Sequence, residues 1–149
     1  IDGLFINQDL DSFKKVHDAN VMTSISALMV LIEKMISAKW GRIILLSSTR
    51  ALRGDIGISP YSLSKSSLSG LSNVISKEYA KFNITSNVID LGYFGSPLWE
   101  KIPTHKRKDL INQIPSKRIG QAEDLIPIFK CLIESSYING AHLSLDGGL

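Results

Sequence analysis

Apolar positions early in the chain recur at helical spacing. Ile25, Leu28, Ile32 and Met35 form the stripe, and Leu31 and Ile36 widen it. Residues 1–10 carry no period and read as loop. Asp11-Ser12 supplies a cap, so the spacing predicts a helix over about 12–38, ended by Trp40-Gly41. Asn20 lies inside it, and periodicity leaves open whether it faces solvent. Arg42-Ile43-Ile44-Leu45-Leu46-Ser47 is a short apolar run after Gly41, expected to be a strand covered on both faces. Residues 49–59 have no period, contain Gly54 and Gly57, and read as loop. Ser59-Pro60 starts a helix, with the Ser59 hydroxyl as cap, and Leu68, Leu71, Val74 and Ile75 carry it to about 82. Ser64, Ser67, Ser72 and Ser76 either admit a second helix, such as one from a partner subunit, or are exposed.

A second strand is predicted over 84–91, then a loop with Gly92 and Gly95 closed by Ser96-Pro97, and a short helix over about 98–113. Gln121-Ala122-Glu123-Asp124 places acid in a first turn. Leu125, Ile128, Phe129, Leu132 and Ile133 supply that helix's buried face, and Pro127 makes its start irregular. A last strand, 142–145, runs into Asp146-Gly147-Gly148. The alternation argues for an α/β fold with a parallel sheet and right-handed crossovers. Three strands are few, and the first lacks the neighbour it has in a whole protein.

Composition changes little. The 149 residues are 44% hydrophobic and 21% charged, with net charge +3, ordinary for one soluble domain. The charge permits an anionic ligand but does not argue for nucleic acid, and Lys106-Arg107-Lys108 reads as a solvated helix face. The most apolar long stretch, 21–32, is interrupted by Thr23, Ser24 and Ser26 and is too short to span a bilayer. Cys131, the single cysteine, is expected to be a buried structural thiol. No metal site is expected, and the location expected is cytoplasmic. Ile1 is not an initiator Met, so the chain is expected to be a fragment.

Candidate chemistry sits between Ser48 and Lys65. Tyr61 and Lys65 are four apart and share a helix face. A tyrosine is a poor base at neutral pH, but a nearby ammonium favours its phenolate and makes proton exchange with an alcohol or carbonyl oxygen practicable. Ser48, ending a buried strand, is placed to hold that oxygen. Tyr-x-x-x-Lys alone is more often an exposed pair. The serine, loop and helix start around it carry the reading.

With those residues in place, the chain resembles the short-chain dehydrogenase/reductases, in their single-domain branch, most of all 3-oxoacyl-acyl-carrier-protein reductases and their sugar- or polyketide-pathway relatives. Besides Ser48 and Tyr61-Ser62-Leu63-Ser64-Lys65, the resemblance rests on Asp18-Ala19-Asn20-Val21, Gly41-Arg42-Ile43-Ile44 and Asn87-Val88-Ile89. It continues through Gly120-Gln121-Ala122-Glu123-Asp124-Leu125, Tyr137-Ile138-Asn139-Gly140 and Asp146-Gly147-Gly148. It implies the C-terminal part of a doubly wound, Rossmann-like parallel sheet in one domain, an NAD or NADP cofactor, and a homo-oligomer when intact. The substrate implied is a small or carrier-bound carbonyl or alcohol. Tyr61 would be the general acid in reduction. Lys65 would bind the nicotinamide ribose, Ser48 would orient the substrate oxygen, and Asn20 would hold a relay water. Gly92, the Phe94 backbone and Ser96 would meet the nicotinamide carboxamide, with Tyr93, Leu98 and Trp99 near the substrate, although Trp99 equally suits packing. Leu91-Gly92 replaces the family's usual Pro-Gly, and Ser96 its Thr. The glycine-rich pyrophosphate turn and the residue choosing NAD or NADP fall outside this sequence. A truncated, inactive relic or interaction module of the same fold is the alternative. A nucleotide-sugar epimerase, which shares the Tyr-Lys pair, is disfavoured because its chains continue into a substrate domain.

Overall fold

The computed structural model describes residues 3–149. A 3-10 turn at Phe5–Asn7 leads to α1 (Leu10–His17), a π-helical turn (Asp18–Met22) and α2 (Thr23–Ala38). Then come β1 (Gly41–Ser48), α3 (Thr49–Arg53), α4 (Ser59–Glu78) and β2 (Ile84–Leu91), a 3-10 turn at Ala80–Phe82 joining the last two. The chain closes with α5 (Pro97–Glu100), α6 (Thr104–Gln113), α7 (Ala122–Glu134) and β3 (His142–Leu145). The sheet is parallel in the order β1-β2-β3, as expected. Gly41 pairs with Ile84 at one end of β1, Ser48 with Leu91 at the other, and Leu91 with Leu145.

Helices α2 and α4 cover one face of the sheet. Val21, Leu28, Ile43, Leu45, Leu68, Ile75, Ile84 and Val88 form the core there. The β2 strand is buried on both faces, but β1 is not: Leu46 is 39% exposed. Its other edge has no strand beside it among the described residues.

Several local expectations are corrected. The first cap is Asp9, whose carboxylate accepts the Ser12 N–H at 2.6 Å. The long helix is broken by the π turn, where Thr23 donates its N–H to the Asp18 carbonyl, five residues back. It nonetheless runs continuously over Leu10–Ala38, 29 residues apolar enough to cross a membrane, so 21–32 understated it. Val21 and Leu28 of this stretch pack in the core, while Met22, Met29, Val30 and Leu31 are exposed. The loop at 49–59 contains α3. Ser59 is the first residue of α4 rather than its cap, and its hydroxyl has no partner. The expected helix over 98–113 is two, α5 and α6, separated at Ile102-Pro103.

The serines of α4 do not wait for a partner helix. Ser64 and Ser72 are fully buried against this chain's own elements, and the Ser72 and Ser86 hydroxyls lie 2.9 Å apart. In α7 the helix starts at Ala122 with a capping box. Gln121 N–H donates to Asp124 at 2.8 Å, and Pro127 is accommodated inside the helix. Leu132 is buried, but Cys131 is exposed, against expectation.

Candidate active site

Two hydrogen bonds clamp the end of β1 to the start of α4. Ser47 Oγ donates to the Lys65 carbonyl at 3.1 Å, and Lys65 Nζ donates to the Leu46 carbonyl at 2.9 Å. The Thr49 hydroxyl adds a bond to the Leu91 carbonyl at 3.3 Å, tying the start of α3 to the end of β2. Ser48 therefore stands at the carboxyl end of β1, 5% exposed, and its side chain does not cap α3. Tyr61 occupies the third position of α4 and is half-buried. Burial holds the Lys65 ammonium pKa below the ordinary lysine value.

Asn20 is not solvent-facing. Its Nδ2 donates to Ser64 Oγ at 3.0 Å, and that hydroxyl donates to the Tyr61 carbonyl at 2.8 Å. The Asn20 carbonyl accepts from Ser24 Oγ at 3.2 Å. The π turn thus sits directly against the first turn of α4. Nothing in the sequence marks Ser64 as this bridge except its position three residues after Tyr61.

A cavity of about 500 Å³ opens at Tyr61, lined by Lys15, Val16, Ala19, Asn20, Arg50, Ile58 and Leu98. Leu98 is 74% exposed and stands at its wall. Trp99 is buried with its ring 5.7 Å from that of Tyr93, a packing position. The Arg50 guanidinium lies 6.0 Å from the Tyr93 ring centroid, so Tyr93 reaches the cavity wall through Arg50. Nothing along the chain singles out Arg50 as a cavity residue except its place two residues after Ser48.

The loop after β2 is held tightly. Gly92 N–H donates to the Leu145 carbonyl at 3.0 Å, and an added Cβ would lie 2.7 Å from Asp146 Cα. Phe94 forms a parallel bridge with Gly120, through the Tyr93 carbonyl and the Gly95 N–H. In such a bridge the central residue's own N–H and C=O point the other way, a donor and acceptor pair suited to a carboxamide. The nicotinamide end of the cofactor therefore fits the residues present. Ser96 caps α5, accepting the Trp99 N–H at 3.1 Å, and lines a different cavity, with Glu100 and Arg107, from that of Tyr61. Its O–H remains a donor.

These arrangements define an α/β fold around a parallel sheet, and comparison with known proteins gives its family. All 149 residues match the family model described as Enoyl-(Acyl carrier protein) reductase, and the chain belongs to the short-chain dehydrogenase/reductase family. Similar proteins include an acetoacetyl-CoA reductase of Acinetobacter sp. (strain RA3849), 29% identical over 99% of this chain and 60% of its own length. The 3-oxoacyl-[acyl-carrier-protein] reductases of Thermotoga maritima and Rickettsia conorii are 29% and 31% identical over 99% of this chain, covering 61% and 62% of theirs. A crystal structure of a protein assigned as a betaketoacyl-ACP reductase superposes with a TM-score of 0.85 at 22% identity, over 99% of this chain and 62% of its own, which shows the shared fold. The chain thus spans about three-fifths of the length of the relatives it matches.

Proposed function

We propose that the whole protein is an NAD(P)-dependent oxidoreductase that reduces a carbonyl, or oxidises the corresponding alcohol, in the manner of the 3-oxoacyl reductases it resembles. The observation that carries this reading is the clamp between β1 and α4, in which Ser47 bonds the Lys65 carbonyl and Lys65 the Leu46 carbonyl, so that the strand end bearing Ser48 is tied to the helix bearing Tyr61. In the reduction, the Ser48 hydroxyl donates a hydrogen bond to the substrate oxygen and fixes its orientation. Tyr61 transfers its phenolic proton to that oxygen as the carbonyl carbon is reduced. The Lys65 ammonium, one helical turn away, stabilises the phenolate left behind and so eases the proton's departure. Asn20, bonded to Ser64 beneath Tyr61, holds a water through which that proton is replaced. Phe94's backbone pair and the Ser96 hydroxyl would hold the carboxamide of a reduced nicotinamide, with the tight Gly92–Asp146 approach setting their position and Lys65 at its ribose, and that group would supply the hydride, two electrons with one hydrogen, to the carbonyl carbon.

On this reading the chain is the catalytic and C-terminal part of one Rossmann-like domain, and the pyrophosphate turn lies in the remaining length. The names of the relatives support a 3-oxoacyl substrate, carrier-bound or small. The apolar groove between α2 and α4, with Met29 74% exposed, supports a homo-oligomer. A cytoplasmic location suits such an enzyme. The test uses the full-length protein with NADH or NADPH and a short 3-oxoacyl thioester, following loss of the reduced cofactor. Calorimetry on residues 1–149 alone completes it. Turnover by the whole protein and weak nucleotide binding by the isolated chain are expected. No turnover with any of a panel of carbonyl compounds would favour the inactive relic instead.

A further inference from the structure

The cavity at Ser96, about 490 Å³ in volume, is walled by Ser96, Trp99, Glu100, Arg107 and Gln121. Its size falls in the range of about 300–1,000 Å³ common to small-molecule sites. Arg107 belongs to the basic run of α6 but does not share its exposure. Lys106 and Lys108 are exposed, whereas Arg107 is half-buried. Its Nη2 donates to Thr104 Oγ1 at 3.2 Å, and its Nε is enclosed with no hydrogen-bond partner. Among the described residues no carboxylate forms an ion pair with it. Glu100 lines the same cavity but is exposed to water. An enclosed guanidinium N–H with nothing to donate to is a cost that an incoming acceptor removes. The Ser96 hydroxyl accepts the Trp99 N–H and keeps its own proton to donate. One cavity thus presents a guanidinium and a hydroxyl donor together. Arginine's planar fork matches the oxygens of a phosphate in geometry as well as charge.

We infer that Arg107 receives the phosphate attached to the nicotinamide riboside of the cofactor, so that α6 and the Ser96 loop together form a nicotinamide mononucleotide site. This rests on the NAD(P)-dependent reading above and deepens it. On that reading Ser96 meets the carboxamide, which is one end of nicotinamide mononucleotide, and the phosphate is its other end. Ser96 and Arg107 line one cavity, so a single mononucleotide engages both. The Glu100 carboxylate opposes an anion there, but water and salt screen an exposed carboxylate more than an enclosed guanidinium N–H. Nothing in the run Lys106-Arg107-Lys108 distinguishes its middle residue. The fold does so by turning Arg107 towards the loop after β2.

The test is calorimetric binding of nicotinamide mononucleotide and of nicotinamide riboside, which lacks only the phosphate, to the full-length protein. Wild type, Arg107→Met, Arg107→Gln and Lys106→Gln are compared. The affinity ratio of mononucleotide to riboside should fall by on the order of 10–100-fold in Arg107→Met, the range of a charge-assisted hydrogen bond, with riboside affinity unchanged. Arg107→Gln, which keeps a donor towards Thr104, should show the same fall, and it decides the matter where Arg107→Met does not fold. Lys106→Gln removes a neighbouring positive charge that does not line the cavity and should keep the wild-type ratio. A wild type that binds both compounds equally, or a ratio unmoved by the Arg107 substitutions, would overturn the inference. So would an equal fall in Lys106→Gln, since the general charge of α6 and not this guanidinium would then be responsible. Reduced-cofactor turnover with an unmoved ratio would overturn the inference alone. Binding of neither compound by wild type, with no turnover, would overturn the oxidoreductase reading with it.

Discussion

Replacing Asn87 with Leu should destabilise the fold through two backbone groups that have no other partner of this kind. Asn87 is fully buried in β2. Its Nδ2 donates to the Ile138 carbonyl and its Oδ1 accepts the Ala141 N–H, both at 2.9 Å. One side chain thus satisfies the segment that turns α7's exit into β3. Leucine matches its size, so cavity formation contributes little. What remains is an acceptor and a donor cut off from their partner, costing about 1–3 kcal/mol each. Ile138 and Ala141 are half-buried and gain some water, which puts the sum near the lower part of that range, about 2–4 kcal/mol. With a urea slope of about 2 kcal/mol/M, the unfolding midpoint should fall by about 1–2 M. The assay is urea unfolding of the full-length protein followed by far-ultraviolet circular dichroism. A midpoint unchanged within about 0.3 M at the same slope would refute the reasoning, because the β2–β3 junction would then not depend on that amide.

Other outcomes follow from the same structure. Gly92→Ala forces a Cβ to within 2.7 Å of backbone at Asp146. Its expected cost is about 1–3 kcal/mol, with weaker nicotinamide nucleotide binding as the Phe94 loop shifts; unchanged affinity by calorimetry would count against that loop as a cofactor contact. Lys65 has a folded-state pKa below its unfolded value of 10.5, so the unfolded chain binds the extra proton between the two values. Wild-type stability should therefore gain on that of Lys65→Met as pH rises from the folded pKa towards 10.5, and a gap that stays flat in urea titrations would contradict the burial of that ammonium. Cys131 should react with a thiol reagent in the native protein at a rate comparable with the unfolded chain, and strong protection would contradict its exposure.

The strands were legible because apolar runs between glycine or polar residues leave few alternatives: 41–48, 84–91 and 142–145 differ from expectation by at most a residue. What was lost was local geometry without a compositional mark. The π turn at Asp18–Met22 involves the same residue types as the helices it joins, so periodicity ran straight through it. The five residues of α3 are too few to show a period. Cys131 sits beside Leu132 in sequence, and membership of an apolar stretch did not distinguish the face towards the sheet from the face towards water. At the site, Ser48, Tyr61 and Lys65 were readable because one strand end and one helix start carry them. Arg50 and Lys15 were not, because the cavity is assembled from α1, the π turn, α3, α4 and α5, and no spacing along the chain encodes that meeting.

The central claim is that Tyr61 transfers the proton in a carbonyl reduction whose geometry the β1–α4 clamp sets. Its most direct measurement is turnover of the full-length protein and of Tyr61→Phe, by loss of reduced nicotinamide absorbance at saturating carbonyl substrate. The phenyl ring keeps the packing and removes only the hydroxyl. The account predicts a fall on the order of 10²–10⁴-fold in kcat, with the urea midpoint unmoved. A folded Tyr61→Phe protein that turns over as fast as wild type would contradict it.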